Sequence, residues 1–361
     1  MTVEAMSPRA RRFEYLDLLR LLCAMAVVIF HYGVVGPYTK ILPNSFFLTP
    51  NILVYGQFGV EVFFIISGFV ISLSARNRGA IAFLWARILR LYPAYWICCT
   101  LTALSLIVAT TGHETLWKPD WVEYLANMTM LQSFVGLPYV DPVYWSLAAE
   151  LRFYALVTLL LALRQRVDSL PIIVGWTIAC IVAPYLPPVF GKLLMVKLAP
   201  YFLAGMLIQR LTDLERVLPK LALLTVTMFL MRAHLIDIHA EQTLRKFFPF
   251  DPTIAFAIVI TGAGLVTACA FSPSPRRFVP VMIAIGGATY PLYLLHSSTG
   301  QIILARIAAF LNPFWAALFV TTGVITVSLI ISQKLEPQLR SWLRAIGSKV
   351  TSRYLSPKAS S

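Results

Sequence analysis

Long apolar runs separated by short polar links dominate the chain. Windows of helical length read as about ten membrane spans, at 15–35, 52–74, 88–111, 143–163, 170–187, 193–209, 220–236, 253–271, 280–303 and 314–333. The third continues back to about Ala80 as an amphipathic lead-in, and the Pro-rich link Pro184 to Pro188 is consistent with a kink between the fifth and sixth. The pattern predicts an all-α, polytopic transmembrane helix bundle. Residues 1–14 form an N-terminal segment, 15–333 the membrane domain and 334–361 a basic tail suited to the membrane surface. The longest link, Thr111 to Asp141, contains Asn127 to Phe134, readable either as a short amphipathic piece or as a re-entrant one.

Composition supports that reading. Of 361 residues, 58% are hydrophobic and 13% charged, where a soluble domain carries roughly a quarter charged residues. This excludes a soluble enzyme. A net charge of +14 would suggest nucleic acid in a soluble protein. Here most basic residues fall on one side of the bundle, including Arg9, Arg11, Arg12, Arg76, Arg78, Arg87, Arg90, Arg276, Arg277 and Lys358. By the positive-inside rule that side is cytoplasmic, and with an even number of spans both termini lie there. The basic start followed by an apolar run resembles a secretory signal. The run continues to about Val35 with no small-residue cleavage site before Gly36-Pro37, so it is expected to remain as the first span. Cys23, Cys98, Cys99, Cys180 and Cys269 all lie in apolar runs and read as free thiols. No His/Cys/Asp/Glu grouping has metal spacing, and no metal is expected.

Four polar groups interrupt the spans. In "LDLLRLLCAMAVVIFHY", Arg20 and His31 lie eleven residues apart, which places them on one helix face about 16 Å apart along the axis. Asp17, three residues before Arg20, is its neighbour on the helix surface. In "WARILRLYPAYW", Arg87 and Arg90 share a face at the cytoplasmic start of the third span, where they suit a phosphate. In "YWSLAAELRFY", Ser146, Glu150 and Tyr154 form one polar stripe, with Glu150 about 10 Å below the outer end and Arg152 as a structural charge. In "GGATYPLYLLHSS", Thr289, Tyr290, Tyr293 and His296 enter the ninth span. His113, His234 and His239 fall in or beside outward loops and read as packing or surface residues.

With these segments in view, the chain resembles the acyltransferase-3 family of integral membrane acyltransferases, which modify bacterial surface polysaccharides and related acceptors. The Arg, ten residues, His pattern is matched by Arg20 and His31. The second-span segment is matched by "GVEVFFIISGF" with Ser67-Gly68 in register, and Arg-x-x-Arg by Arg87 and Arg90. The Trp-Ser-Leu…Glu…Phe-Tyr run is matched through Trp145, Ser146, Leu147, Glu150, Phe153 and Tyr154, and the late Tyr…His segment by "TYPLYLLH". Glu61 stands where the family often has Asp, and Thr289 where Ser is common. No extracytoplasmic hydrolase-like domain is expected after the last span.

The resemblance implies a bacterial inner-membrane enzyme with no permanently bound cofactor. Acyl-CoA, usually acetyl-CoA, would be its donor from the cytoplasm, and a saccharide or glycolipid hydroxyl its acceptor from outside. Arg87, Arg90 and Arg20 would hold the donor's phosphates. The pantetheine arm, roughly 15–20 Å long by bond counting, would then bring the thioester toward His31. An imidazole with an ordinary pKa near 6.5 is mostly neutral at pH 7 and suits a general base. Glu150 is the candidate partner of His31, and direct transfer and an acyl-imidazole intermediate both remain open. Asp17, Ser67, Trp145, Ser146, Tyr154, Tyr290 and His296 are supporting candidates. The competing class is a proton-coupled transporter using the same His, Glu and Arg residues.

Overall fold

The computed structural model describes residues 13–42, 50–110, 118–272 and 278–355. Arg9, Arg11, Arg12, His113, Arg276, Arg277 and Lys358 lie outside them, with most of the expected N-terminal segment. Among the described residues the secondary structure is entirely helical. Helix α1 (Glu14–Phe30) runs on through a π-helical turn, His31–Val35. Next come α2 (Gly59–Ala75), α3 (Ala80–Thr110), the short α4 (Trp121–Met128) and α5 (Trp145–Ala162). The second half comprises α6 (Leu170–Val182), α7 (Ala199–Leu211), α8 (Val217–Leu244), α9 (Pro252–Phe271), α10 (Val279–Leu295) and α11 (Ser298–Ile307). The last are α12 (Pro313–Ile330) and α13 (Glu336–Leu355).

Among the described residues, seven helical segments are long and apolar enough to cross a bilayer, or eight if α10 and α11, bent by 75° at their junction, count as one span. The expected spans 170–187 and 193–209 are instead built around α6 and α7, of 13 residues each. Such helices are about 20 Å long, short of a hydrocarbon core of about 30 Å. The apolar signal of α7 comes from a different cause: every residue from Ala199 to Gln209 is buried inside the bundle. Its contact with α2 is backbone to backbone. A Cβ on Gly205 would collide with the Ile65 carbonyl, and one on Gly68 with that of Phe202. Small residues permit this approach in membrane bundles.

The link expected between the third and fourth spans turns back along α3. Tyr95 Oη donates to Asn127 O at 2.8 Å, Trp96 Nε1 to Met128 O at 2.9 Å and Tyr92 Oη to Thr129 O at 2.8 Å. The α4 helix, closed by an Asp120–Glu123 capping box, therefore descends beside α3. The last span also differs from expectation. It passes through a π-helical turn, Ile331–Leu335, directly into α13, so the basic tail begins as a continuation of the helix.

Candidate active site

Two cavities lie end to end in the bundle. The wide one, of about 890 Å³, opens among the start of α1, the α2–α3 turn, the start of α10 and the α12–α13 junction. Its charged lining is Asp17, Arg20, Arg76, Arg78, Arg90, Glu336 and Arg340. The narrow one, of about 320 Å³, lies deeper, lined by Ser67, Arg87, Ser146, Glu150, Tyr154, Thr289, Tyr290 and Tyr293 among others. Both are bounded by Arg20, Val70, Arg90 and Gly286, so two guanidiniums stand where the cavities adjoin.

The local sequence explains how that neck is held. Arg20 Nη1 pairs with Asp17 Oδ1 at 3.0 Å across one helical turn, as the i, i+3 spacing predicts. Gly286 of α10 leaves room for Asp17, since a Cβ there would run into its carboxyl group. The Arg87–Arg90 pair does not act as one surface clamp. α3 starts at Ala80, so Arg87 already lies two turns inside and lines only the narrow cavity. Its guanidinium carbon is 5.5 Å from the Phe83 ring centroid and 5.8 Å from that of Tyr154. Arg90 reaches the neck, 5.7 Å from the Tyr290 ring centroid. Arg87 Nε and Tyr290 Oη are buried without a hydrogen-bond partner. Orphaned groups of this kind usually await a ligand or water.

The Ser146–Glu150–Tyr154 stripe faces the narrow cavity as its spacing predicts. Glu150 Oε1 accepts from Ser67 Oγ at 2.9 Å and from Tyr154 Oη at 2.5 Å. It is therefore committed to α2 and to its own helix, and the expected Glu150–His31 partnership does not form. Trp145 points away from the stripe. It is partly exposed and meets the edge of Phe64. Ser146 Oγ donates to Val143 O at 2.9 Å and meets Tyr293 Oη at 2.8 Å. Together these two residues close the end of the cavity. Arg152 lies over the Phe134 ring, 5.5 Å from its centroid, with no carboxylate partner among the described residues.

Beyond Tyr293 stands a pair that sequence spacing did not reveal. The His31 and His296 rings lie edge to face with centroids 4.8 Å apart, and His296 lies 5.6 Å from the Tyr293 ring. His296 Nδ1 is 2.8 Å from Tyr293 O, and its Nε2 is 3.2 Å from His31 Nδ1, which is also 2.9 Å from Val27 O. Carbonyl oxygens only accept. In the neutral rings each Nδ1 therefore carries the proton, and His296 Nε2 accepts from His31. The lone pair of His31 is left on Nε2. His31 also opens the π-helical turn of α1, a local irregularity frequent at functional sites.

The bend after His296 is clamped by Asp141, which is fully buried. Its Oδ2 accepts from Ser298 N at 2.8 Å and its Oδ1 from Val143 N at 3.1 Å. Burial raises its carboxyl pKa to about 6. The other described histidines stand outside both cavities. His234 Nδ1 meets Tyr201 Oη at 3.1 Å, and His239 packs against Phe250. Of the groups lining the wide cavity, Arg76, Arg78, Glu336 and Arg340 were not singled out as site residues by sequence. Only the basic character of the three arginines on one side of the bundle pointed to them, and nothing in the sequence pointed to Glu336.

A sequence profile described as "Acyltransferase domain" matches residues 13–333. "Acyltransferase MdmB" of Streptomyces mycarofaciens is 28% identical over 155 residues, covering 41% of this chain and 39% of that protein. "Nodulation protein 10" of Rhizobium leguminosarum bv. viciae is 30% identical over 130 residues, covering 32% of this chain and 35% of that protein. The chain thus aligns with well under half of the length of these curated relatives. No solved structure matches it. With the profile covering residues 13–333, nearly the whole chain, and with the helical bundle in place, the chain belongs to the acyltransferase-3 family of integral membrane acyltransferases.

Proposed function

We propose that the protein moves an acyl group, acetyl in the simplest case, from acyl-CoA to a hydroxyl of a saccharide or glycolipid on the other side of the membrane. The observation that carries this reading is the pair of cavities joined at Arg20 and Arg90. A polyanionic nucleotide suits the wide, arginine-rich chamber, because guanidiniums grip phosphates with several directed hydrogen bonds. A thin neutral arm suits the narrow chamber beyond the neck. The excess of basic residues at the wide end supports a cytoplasmic position for that end.

At the far end, His31 Nε2 is the base. The acceptor hydroxyl attacks the thioester carbonyl carbon, its proton passes to His31 Nε2, and the C–S bond breaks. The departing thiolate takes the proton and leaves as free coenzyme A. Val27 O and His296 hold His31 in the tautomer this requires. Tyr293 separates the narrow cavity from the histidine pair, so the acyl group meets the base on passing its ring.

Acetyl-CoA binding to the purified protein tests the donor half. Each lost charge-assisted contact is worth about 1.5–3 kcal/mol, so the double variant Arg20→Ala/Arg90→Ala, which removes both neck guanidiniums, is expected to bind at least about 100-fold more weakly. Unchanged affinity in a folded double variant overturns the assignment.

A further inference from the structure

The family match ends at residue 333, but the wall of the wide cavity does not. Glu336 and Arg340 of α13 line it together with Arg76 and Arg78 from the α2–α3 turn. α13 is held there by α3. Arg340 Nε donates to Leu89 O at 3.1 Å, and Gly347 lies so close to the Trp85 ring that a Cβ would collide with it. The segment beyond the family domain is therefore part of the chamber.

Arg76, Arg78 and Arg340 line only the wide cavity, away from the neck. They are not equally available. Arg76 is spent on Asp168 at 2.9 Å, Gln209 at 2.8 Å and Asp213 at 3.3 Å. Arg78 is exposed and has no partner among the described residues. Arg340 uses Nε on Leu89 O and one terminal nitrogen on Glu336, leaving Nη1 uncommitted. The two carboxylates on the cavity wall, Asp17 and Glu336, are each already paired with an arginine.

We propose that Arg78 and Arg340 form a subsite for a phosphomonoester, the terminal 3′-phosphate of the coenzyme A nucleotide, distinct from the neck arginines that hold its pyrophosphate. This rests on the acyl-CoA reading above. The pantetheine arm leaves the pyrophosphate on one side and the ribose on the other. An arm that enters the narrow cavity therefore directs the ribose phosphate outward, to the part of the chamber bounded by these arginines. A phosphomonoester carries about −1.5 to −2 charge at pH 7, and Arg binds it with a directed fork of donors. Glu336 is the adverse group, and its pairing with Arg340 offsets it.

The test compares coenzyme A with 3′-dephospho-coenzyme A, titrated separately into purified full-length protein in neutral detergent, with inorganic phosphate as a third probe. Wild type is expected to prefer coenzyme A by about tenfold or more. Arg78→Ala/Arg340→Ala should lose that preference while its affinity for the dephospho form stays within about twofold. Arg78→Ala alone removes an exposed side chain, so it should lose part of the preference without affecting folding. A double variant that keeps the preference overturns the subsite, as does one that loses equal affinity for both nucleotides. Inorganic phosphate competing as well as coenzyme A would also overturn it, marking a general anion site. A wild type that binds neither nucleotide overturns the acyl-CoA reading, and the subsite with it.

Discussion

His31 and His296, 265 residues apart in the chain, meet through Nδ1 and Nε2 at 3.2 Å. Because His296 Nδ1 is occupied by the Tyr293 carbonyl, its Nε2 only accepts, and it holds His31 as a carboxylate holds the histidine of a catalytic triad. His296→Ala is expected to lower acyl transfer by about tenfold or more with coenzyme A affinity unchanged. His296→Gln supplies an accepting amide oxygen and should recover part of the rate. Equal losses in both variants, accompanied by lower unfolding temperatures, would mean that His296 only fills space.

Glu150 has a different assignment, as the acceptor of two hydroxyls, the half-buried Ser67 and the buried Tyr154. Leaving each without a partner costs about 1–3 kcal/mol. Glu150→Ala should therefore lower the unfolding temperature markedly, and Glu150→Gln, which keeps one accepting oxygen, much less. Thermal unfolding in detergent checks this ordering, and equal stability of all three proteins would contradict it.

The sequence made legible what periodicity governs. The Asp17–Arg20 pair and the Ser146–Glu150–Tyr154 stripe follow from helical spacing alone, and both line the cavities. The misreadings share one cause: hydropathy cannot distinguish burial in lipid from burial in protein. It reads α7 as a span because α7 is apolar all round, although it is short and enclosed. The start of α3 at Ala80 is legible as an amphipathic lead-in, but which cavity Arg87 and Arg90 enter is not. Contacts between distant helices, such as His31 with His296, have no local signature. The bend that presents His296 depends on Asp141, more than 150 residues earlier, reaching Ser298.

That clamp has a pH signature. Burial raises the Asp141 pKa from 3.8 to about 6 in the folded protein. The folded state thus binds the proton more tightly than the unfolded state, and this contribution to stability is largest below about pH 4 and lost as pH rises through 6. Between pH 4.5 and 7.5, wild type should lose about 2 kcal/mol relative to Asp141→Asn, which cannot titrate. Unfolding curves of both proteins across that range measure the difference, and a pH-independent gap would contradict the assignment.

The α2–α7 contact predicts a position-specific effect of one methyl group. Gly205→Ala forces a Cβ against the Ile65 backbone, whereas Gly264 on α9 has nothing within 4 Å. Overpacking costs about 1–3 kcal/mol or more, so Gly205→Ala should unfold at a clearly lower temperature. Gly264→Ala should match wild type or exceed it slightly, through better helix propensity. Identical behaviour of the two variants would place α7 elsewhere.

The central claim is that the free Nε2 of His31 is the base for acyl transfer, and His31→Gln tests it most directly. Glutamine keeps polar reach but cannot take a proton at neutral pH, and loss of a general base costs about 10²–10⁴ in rate. Release of free thiol from acetyl-CoA, measured with isolated membranes supplying the acceptor and alongside coenzyme A binding to the same variant, gives the answer. The account predicts turnover lowered by at least 100-fold at unchanged coenzyme A affinity. A Gln variant turning over at near wild-type rate would contradict it.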